Sequence, residues 1–271
     1  MKDVAEIVDR MPPLDPGGTF TGPSWSDMRS ILEALLEGGR DSLVAVIGLL
    51  DAADDGKDYK ARCVLHALAH DAGGPGRDAQ RTLLADTLAG QLEGKHPPAV
   101  QGYLLRQLQV CGGPAQAPAI GRRLSDPDTF EYAAQALLAI GEGAAAEFRK
   151  ALPALSGAPR RTAVQALGVL RDGQAVGLLR EAAASDDASL RRLAAWSLAN
   201  IGDPGAVELV LREADAPEGI ERIEGAATAL LLADRLKAAG KAAEAKRIYA
   251  HLASTRTEPH EAYLRDLASE E

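Results

Sequence analysis

Large polar and aromatic side chains recur at fixed positions before and after a series of leucines. Side chains of these types anchor many protein interfaces, and on helices the chosen positions share one face. The spacing predicts a partner-binding surface made of Trp196, Tyr132, Tyr103, Arg106, Gln135, Gln165, His66 and Asn200. The alternative is that these side chains fill gaps between neighbouring helices and never reach solvent.

Cys63, His66 and His70 have a spacing that suits metal ligands. Separations of three and four residues place them on one side of a helix, and these residue types bind zinc and copper. A fourth ligand would have to come from Asp71 or another repeat, and His260-Glu261 lacks the second histidine of a zinc-protease helix. The pattern favours a polar helix face, and no metal ligand is predicted.

Motifs of common enzymes are absent or stand in the wrong context. The segment 141–146 has the glycine spacing of dinucleotide sites, but it follows a helical segment instead of a strand. The acidic segment 54–58 resembles a calcium loop without its glutamate at position twelve. No phosphate-binding loop, nucleophile elbow or CxxC pair occurs. We predict no enzyme activity, no catalytic residue and no cofactor.

The leucines from which these positions are counted belong to an internal repeat. They are separated by 40, 29, 30, 31 and 32 residues, in the order Leu68, Leu108, Leu137, Leu167, Leu198 and Leu230. Each unit is a helix, a tight turn and a second helix, and the longer first interval predicts an insertion near residues 73–76 or 95–98. A chain that is 46% hydrophobic and only 4% aromatic fits an all-helical fold.

Small residues precede each of these leucines and indicate how the units pack. Ala194, Ala195 and Leu198 share a helix face, as do the equivalent residues of the units before it. Alanines allow neighbouring helices to approach closely while the leucines fill the layer between them. A single unit cannot bury this face, so stability must come from stacking consecutive repeats.

The best unit reads R-x-x-A-A-x-x-L-x-x-I-G-D-x-x-A-V from Arg191 to Val207. It resembles HEAT-type repeats, in particular the short alanine-rich kind found in phycobilin lyase subunits. The resemblance implies an all-α, right-handed α-solenoid of stacked antiparallel helix pairs, with the alanine-rich helices lining its concave side. The unit at Arg160 has Leu170-Arg171-Asp172 in place of Ile-Gly-Asp, which predicts a less tight turn. The segment 226–254 resembles one tetratricopeptide motif and is expected to close the array.

The chain divides into three regions by composition. Residues 1–25 contain a short helix, at about 2–11, and an arm rich in proline and glycine at 12–23. Residues 26–255 form the repeat array, and residues 256–271 form a weakly held last helix or tail.

Charge and composition restrict the location and the partners. The net charge of -9 repels nucleic acid and favours basic partners. No stretch approaches the length of a membrane span, and the N-terminal residues do not resemble a secretory signal. Neither Cys63 nor Cys111 has a nearby partner for a disulfide framework. We therefore expect a cytoplasmic protein that binds neither nucleic acid nor membranes.

These features favour a non-catalytic module that binds a protein or peptide segment, basic in character, on the concave face. The alternative implied by the resemblance is a lyase-like helper that holds a tetrapyrrole in the same groove. A third hypothesis is a purely architectural domain that joins a larger assembly through the arm.

Overall fold

The computed structural model describes residues 3–12, 25–53, 56–217 and 219–269, which contain helices and no strand. They form two compact units, Met1–Glu147 and Phe148–Glu271. The predicted arm lies outside the described residues except for Pro12. Within the described part, no helix is long and apolar enough to cross a membrane.

Unit 1 is built from short helices joined by tight connections. They are α1 Val4–Asp9, α2 Trp25–Glu37, α3 Gly39–Ile47, α4 Tyr59–Ala72, α5 Asp78–Gln91, α6 Pro98–Cys111, α7 Ala117–Gly121 and α8 Phe130–Ile140. Helix α9, Ala144–Ala151, contains the boundary between the two units.

Unit 2 continues the same alternation. Its helices are α10 Gly157–Val169, α11 Val176–Ala183, α12 Ala188–Ile201, α13 Val207–Ala214, α14 Ile220–Ala238, α15 Ala242–Thr255 and α16 Ala262–Ser269. Short 3-10 turns at Gly173–Ala175, Pro204–Ala206 and Pro259–Glu261 lead into the helices that follow them.

The helices of each unit pack in two rows. The first helices of the pairs contact one another, α2 with α4, α4 with α6 and α6 with α8 in unit 1, and α10 with α12 and α12 with α14 in unit 2. The second helices form the other row, where α3 contacts α5 and α13 contacts α15. Stacked helix pairs of this kind confirm the predicted all-α solenoid class.

The alanine and leucine stripe forms the core. Ala194, Ala195 and Leu198 are at most 1% exposed, and the equivalent residues of α8 and α10 are buried as well. The anchor proposed for the last unit, Leu230, is wrong because it is only partly buried. Helix α14 begins at Ile220 and places Ala229, Leu232 and Ala233 in the core instead.

The repeat between Leu68 and Leu108 has no long inserted loop near residues 73–76 or 95–98, where an insertion was expected. Helix α5 has 14 residues, whereas the second helices α11 and α13 have eight each. The longer second helix α5 therefore accounts for part of the extra length between Leu68 and Leu108.

The turn that ends α10 is as tight as the turn that ends α12. The Asp203 N–H donates to the Leu198 carbonyl at 3.0 Å, and the Asp172 N–H donates to the Leu167 carbonyl at 3.1 Å. Gly202 makes this turn with a φ of 83°, and Arg171 makes it with a φ of 51°. The expected loosening is wrong because Arg171 adopts a left-handed conformation that glycine reaches more easily.

Ion pairs connect consecutive repeats of unit 2. Asp172 and Asp203 each accept a backbone N–H at the start of the next turn, and each also binds an arginine of the preceding second helix, Arg149 and Arg180. A further ion pair joins Arg161 of α10 to Asp187, the residue before α12, at 3.3 Å.

The last helix is held by a polar cluster and is not weakly attached. Arg222 of α14 donates to both carboxylate oxygens of Glu261, at 2.6 and 3.0 Å. Arg256 is fully buried and donates to the Ala214 carbonyl at 2.6 Å. The expectation of a loose tail is wrong because these charges tie the segment before α16 to α13 and α14.

Candidate interaction surface

The first helices expose the face opposite their buried stripe. His66, Arg106, Gln135 and Gln165 are all exposed, and Trp196 is partly buried. The helical period therefore assigns the orientation of these side chains correctly. The residues fall into two groups, because His66, Tyr103, Arg106, Tyr132 and Gln135 belong to unit 1 and the others to unit 2.

Tyr103 of α6 joins two helices of unit 1. Its hydroxyl donates to the Arg62 carbonyl of α4 at 2.5 Å, and the Arg62 guanidinium carbon lies 4.9 Å from the centre of its ring. Burial raises the pKa of Tyr103 above its usual value. These contacts fit the packing alternative for this residue.

Tyr132 of α8 lies in a notch on α6. A Cβ atom added at Gly102 would come within 2.9 Å of the Tyr132 ring, so the missing side chain makes room for the ring. The guanidinium carbon of Arg106, one helical turn beyond Gly102, lies 5.0 Å from the ring centre. The pair remains partly open to solvent because Arg106 is exposed.

The histidines of α4 contact each other and α6. The rings of His66 and His70 meet edge to face at 4.4 Å, and His66 Nδ1 lies 3.1 Å from Gln107 Oε1. Burial raises the pKa of the Cys63 thiol, which opposes thiolate formation. In the described ranges, no group of three histidine, cysteine or acidic side chains is arranged to hold a metal ion.

Unit 2 contains a pocket of about 550 Å³ around Trp196, here called the Trp196 pocket. Its lining comes from the first helices α10, α12 and α14 and from Glu213 of α13. Leu193, Trp196, Ala227 and Leu231 supply apolar surface. This volume lies within the range of about 300–1,000 Å³ that is usual for ligand pockets.

Charged side chains also line the Trp196 pocket. Arg161 and Arg192 come from α10 and α12, whereas Glu213 and Glu224 come from α13 and α14. Arg161 pairs with Asp187, which also caps α12. Hydrogen bonds from the backbone N–H groups of Leu190 and Ser189 lower the pKa of Asp187. The pocket can therefore accept an apolar group that carries charges of either sign.

Two of the predicted residues differ in what they can offer to a partner. Gln165 lines the Trp196 pocket and is exposed. The Asn200 amide donates to the Gly168 carbonyl at 3.0 Å and accepts from Arg235 Nη2 at 3.0 Å. Asn200 thus bridges α10, α12 and α14 in a structural role.

Sequence reasoning missed the contribution of α14 to this surface. Ile220, Glu224, Ala227 and Leu231 are spaced by four, three and four residues, which places them on one face of a helix. Ile220 and Ile223 are 64% and 54% exposed. This spacing is present in the sequence, but an anchor at Leu230 predicts that a different face of α14 is outward.

Comparison with known families supports the repeat assignment. The family model described as HEAT repeats matches residues 145–231, from α9 to the middle of α14. Residues 145–231 therefore resemble HEAT repeats. This confirms the HEAT-type resemblance on the units around Arg160 and Arg191, whereas the tetratricopeptide-like character of the last unit stays a prediction.

Solved structures similar to this chain include three kinds of protein. An engineered protein is 19% identical, with 99% of this chain and 82% of that chain covered and a TM-score of 0.43. The complex of CpcE and CpcF of phycocyanin lyase from Nostoc sp. PCC7120 is 16% identical, with 96% and 99% covered and a TM-score of 0.45. A designed armadillo repeat protein in complex with the peptide (KR)4 is 17% identical, with 84% and 98% covered and a TM-score of 0.32. No curated protein matches the chain.

Proposed function

We propose that the protein is a non-catalytic interaction module that binds a protein or peptide segment on the exposed face of its first helices. The observation that carries this proposal is the Trp196 pocket, whose lining combines an indole and four aliphatic side chains with two arginines and two glutamates. Interface hot spots have this composition, with a large aromatic anchor and charges around it. The expectation that the alanine-rich first helices of a HEAT-type array line its concave side supports the choice of this face.

The chemistry of the lining supports a binding role over catalysis. The described lining of the Trp196 pocket includes no histidine, cysteine, lysine or tyrosine side chain. Its titratable groups are two arginines and two glutamates, and arginine stays protonated at any working pH. A cytoplasmic location is part of the proposal, and the two free cysteines are compatible with a reducing compartment.

The experiment compares proteins captured by three immobilised variants of the full chain from a lysate of the source cells. Wild-type protein and the Tyr263→Ala control are expected to retain the same partner, and Trp196→Ala is expected to lose it. Tyr263 is a suitable control because it is a 60% exposed aromatic residue of the same unit, on α16 and outside the pocket lining. Retention of an identical set of proteins by all three would contradict the proposal.

The second candidate is the helper that holds an open-chain tetrapyrrole. The size of the Trp196 pocket and its two arginines favour it, because arginines pair well with the propionate groups of such a pigment. Titration of purified protein with biliverdin tests this candidate. A shifted absorption band that Trp196→Ala abolishes supports it, and an unchanged spectrum counts against it.

A further inference from the structure

Unit 1 exposes an arginine, Arg106, on the outward face of α6, in a chain whose net charge is negative. Helix α6 contains Arg106 and no acidic residue, and the adjacent α4 exposes His66 and His70. The acidic residues of α4, α6 and α8 are Asp71, which pairs with Arg77 at 3.3 Å, and Glu131. His66, Tyr103, Arg106 and Tyr132 are called the Arg106 surface below.

Arg106 is the cation on this surface that remains open for a partner. Within the part of the chain that the structure describes, Arg106 contacts the Tyr132 ring and forms no ion pair. The neighbouring Arg62 is engaged, since its Nε donates to Asp58 at 2.8 Å and its Nη2 to the Asp51 carbonyl at 2.9 Å.

The Tyr132 ring holds Arg106 in place without using its hydrogen-bond donors. The notch at Gly102 seats the ring against α6, and the guanidinium lies within the usual cation–π distance of about 6 Å. The N–H groups of a guanidinium point outward in its own plane, so a stacked arginine can still bind a carboxylate with two hydrogen bonds. A side chain restrained beforehand also loses less entropy on binding.

We propose that the Arg106 surface docks an acidic segment of a partner protein, with a carboxylate of that segment paired to Arg106. Apolar side chains of the same segment pack on Tyr132, beside the paired charges. Local charge complementarity sets this preference. It is opposite to the basic partner expected from the net charge of -9.

Nucleic acid fits this surface less well than an acidic protein segment. A protein that depends on phosphate contacts makes about six to ten of them, and the Arg106 surface offers one unpaired arginine and its neighbouring histidine. The negative charge of the whole chain repels a long polyanion, whereas a short acidic segment presents few charges to it.

The test measures fluorescence anisotropy of labelled eight-residue peptides with the full chain at about 0.15 M salt, where a Debye length of about 8 Å screens the long-range field of the chain. The probes are a peptide of alternating glutamate and leucine, a peptide of alternating lysine and leucine, and an eight-nucleotide single-stranded DNA. We expect the acidic peptide to bind most tightly, and Arg106→Gln to weaken its binding by about tenfold, as the loss of charged hydrogen bonds predicts. Arg106→Lys should restore only part of the affinity because lysine lacks the planar fork.

Arg40→Gln is the matched control. Arg40 is an exposed arginine of the second helix α3 in the same unit, so its replacement changes the net charge equally. Equal weakening by Arg40→Gln and Arg106→Gln would overturn the proposal, as would tighter binding of the lysine peptide or the DNA, or no binding of the acidic peptide by folded protein. The same titrations are made with Trp196→Ala, whose binding of the peptides excludes the Trp196 pocket, so this proposal and the proposed function can fail separately.

Discussion

At the scale of single residues, the fourth position after each anchor leucine sets the geometry of a repeat. Gly141, Arg171 and Gly202 occupy this position in three consecutive units, with φ angles of 73°, 51° and 83°. The turn requires a positive φ whether or not glycine is present, although ψ differs, at -69° for Gly141 and 34° for Gly202. Arg171 therefore carries a conformational cost that the two glycines avoid.

Replacing Arg171 by glycine should stabilise unit 2. Relief of the left-handed conformation should raise the free energy of unfolding by about 1 kcal/mol, measured by urea denaturation followed by circular dichroism. Arg171 is exposed, so little packing is lost. Ala239→Gly is the control, since Ala239 ends α14 with a φ of -86° and glycine there should lower stability. A lower stability of Arg171→Gly would contradict this explanation of the turn.

The aspartate that follows this position should matter for stability as well. Asp203 caps the next turn and accepts hydrogen bonds from two side-chain nitrogens of Arg180. Asp203→Ala should lower the free energy of unfolding by about 2 kcal/mol, the sum expected for a lost cap and an ion pair that is partly solvent-screened. Asp186→Ala, at an exposed position in the same unit, should change stability little. Equal effects of the two substitutions would show that the connection between repeats is not stabilising.

The sequence predicts which residues face outward better than it predicts what they contact. Period and spacing orient His66, Arg106, Gln135 and Gln165 toward solvent, as the structure has them. They do not reveal that the Tyr103 hydroxyl reaches the Arg62 carbonyl or that Asn200 bridges two helices. Such contacts depend on the registry between neighbouring helices, which no single helix encodes.

At the scale of elements, the repeat period predicts the paired helices, and the errors occur where repeats are irregular. In the central units, where the anchor leucines lie about thirty residues apart, these leucines are buried in the core as predicted. The last unit departs from them because α14 has 19 residues, so a leucine chosen by spacing alone falls beside the core. The same length gives α14 the exposed stripe that completes the Trp196 pocket.

The attachment of α16 depends on ionised Glu261. Hydrogen bonding to Arg222 lowers the pKa of Glu261 below its ordinary value of 4.5. A carboxyl whose pKa is depressed in the folded state contributes stability above its unfolded pKa, and this contribution is lost as the pH falls through the folded value. The cluster should therefore hold the last helix at neutral pH and release it in acid.

Glu261→Gln tests this attachment. At neutral pH the variant should lose about 3 kcal/mol, because the buried Arg256 and the partly buried Arg222 lose their carboxylate partner. The difference in Tm between variant and wild type should shrink as the pH falls below 4.5 through the depressed pKa. Exposed Glu258→Gln is the control. A difference that stays constant at all pH values would contradict the role assigned to the ionised carboxylate.

At the scale of the whole molecule, charge is distributed unevenly among the helices. The first helices α4, α6, α8, α10 and α12 together contain seven lysines and arginines and two acidic residues, whereas the first helices α2 and α14 together contain four and six, respectively, in a chain of net charge -9. The net charge governs long-range repulsion of polyanions, whereas the charges on the first helices act on a partner in contact with them. Net charge alone therefore predicts which partners are attracted or repelled at long range, but not which chemical groups the docking face binds.

The most direct test of the central claim is the affinity of the captured partner for Trp196→Ala, measured by isothermal titration calorimetry against wild type and Tyr263→Ala. If the Trp196 pocket is the anchor site, Trp196→Ala should lose about 2 kcal/mol of binding free energy, or roughly thirtyfold in Kd, with its Tm unchanged. Tyr263→Ala should bind as wild type does. Equal Kd values for all three proteins would contradict the claim that this pocket binds the partner.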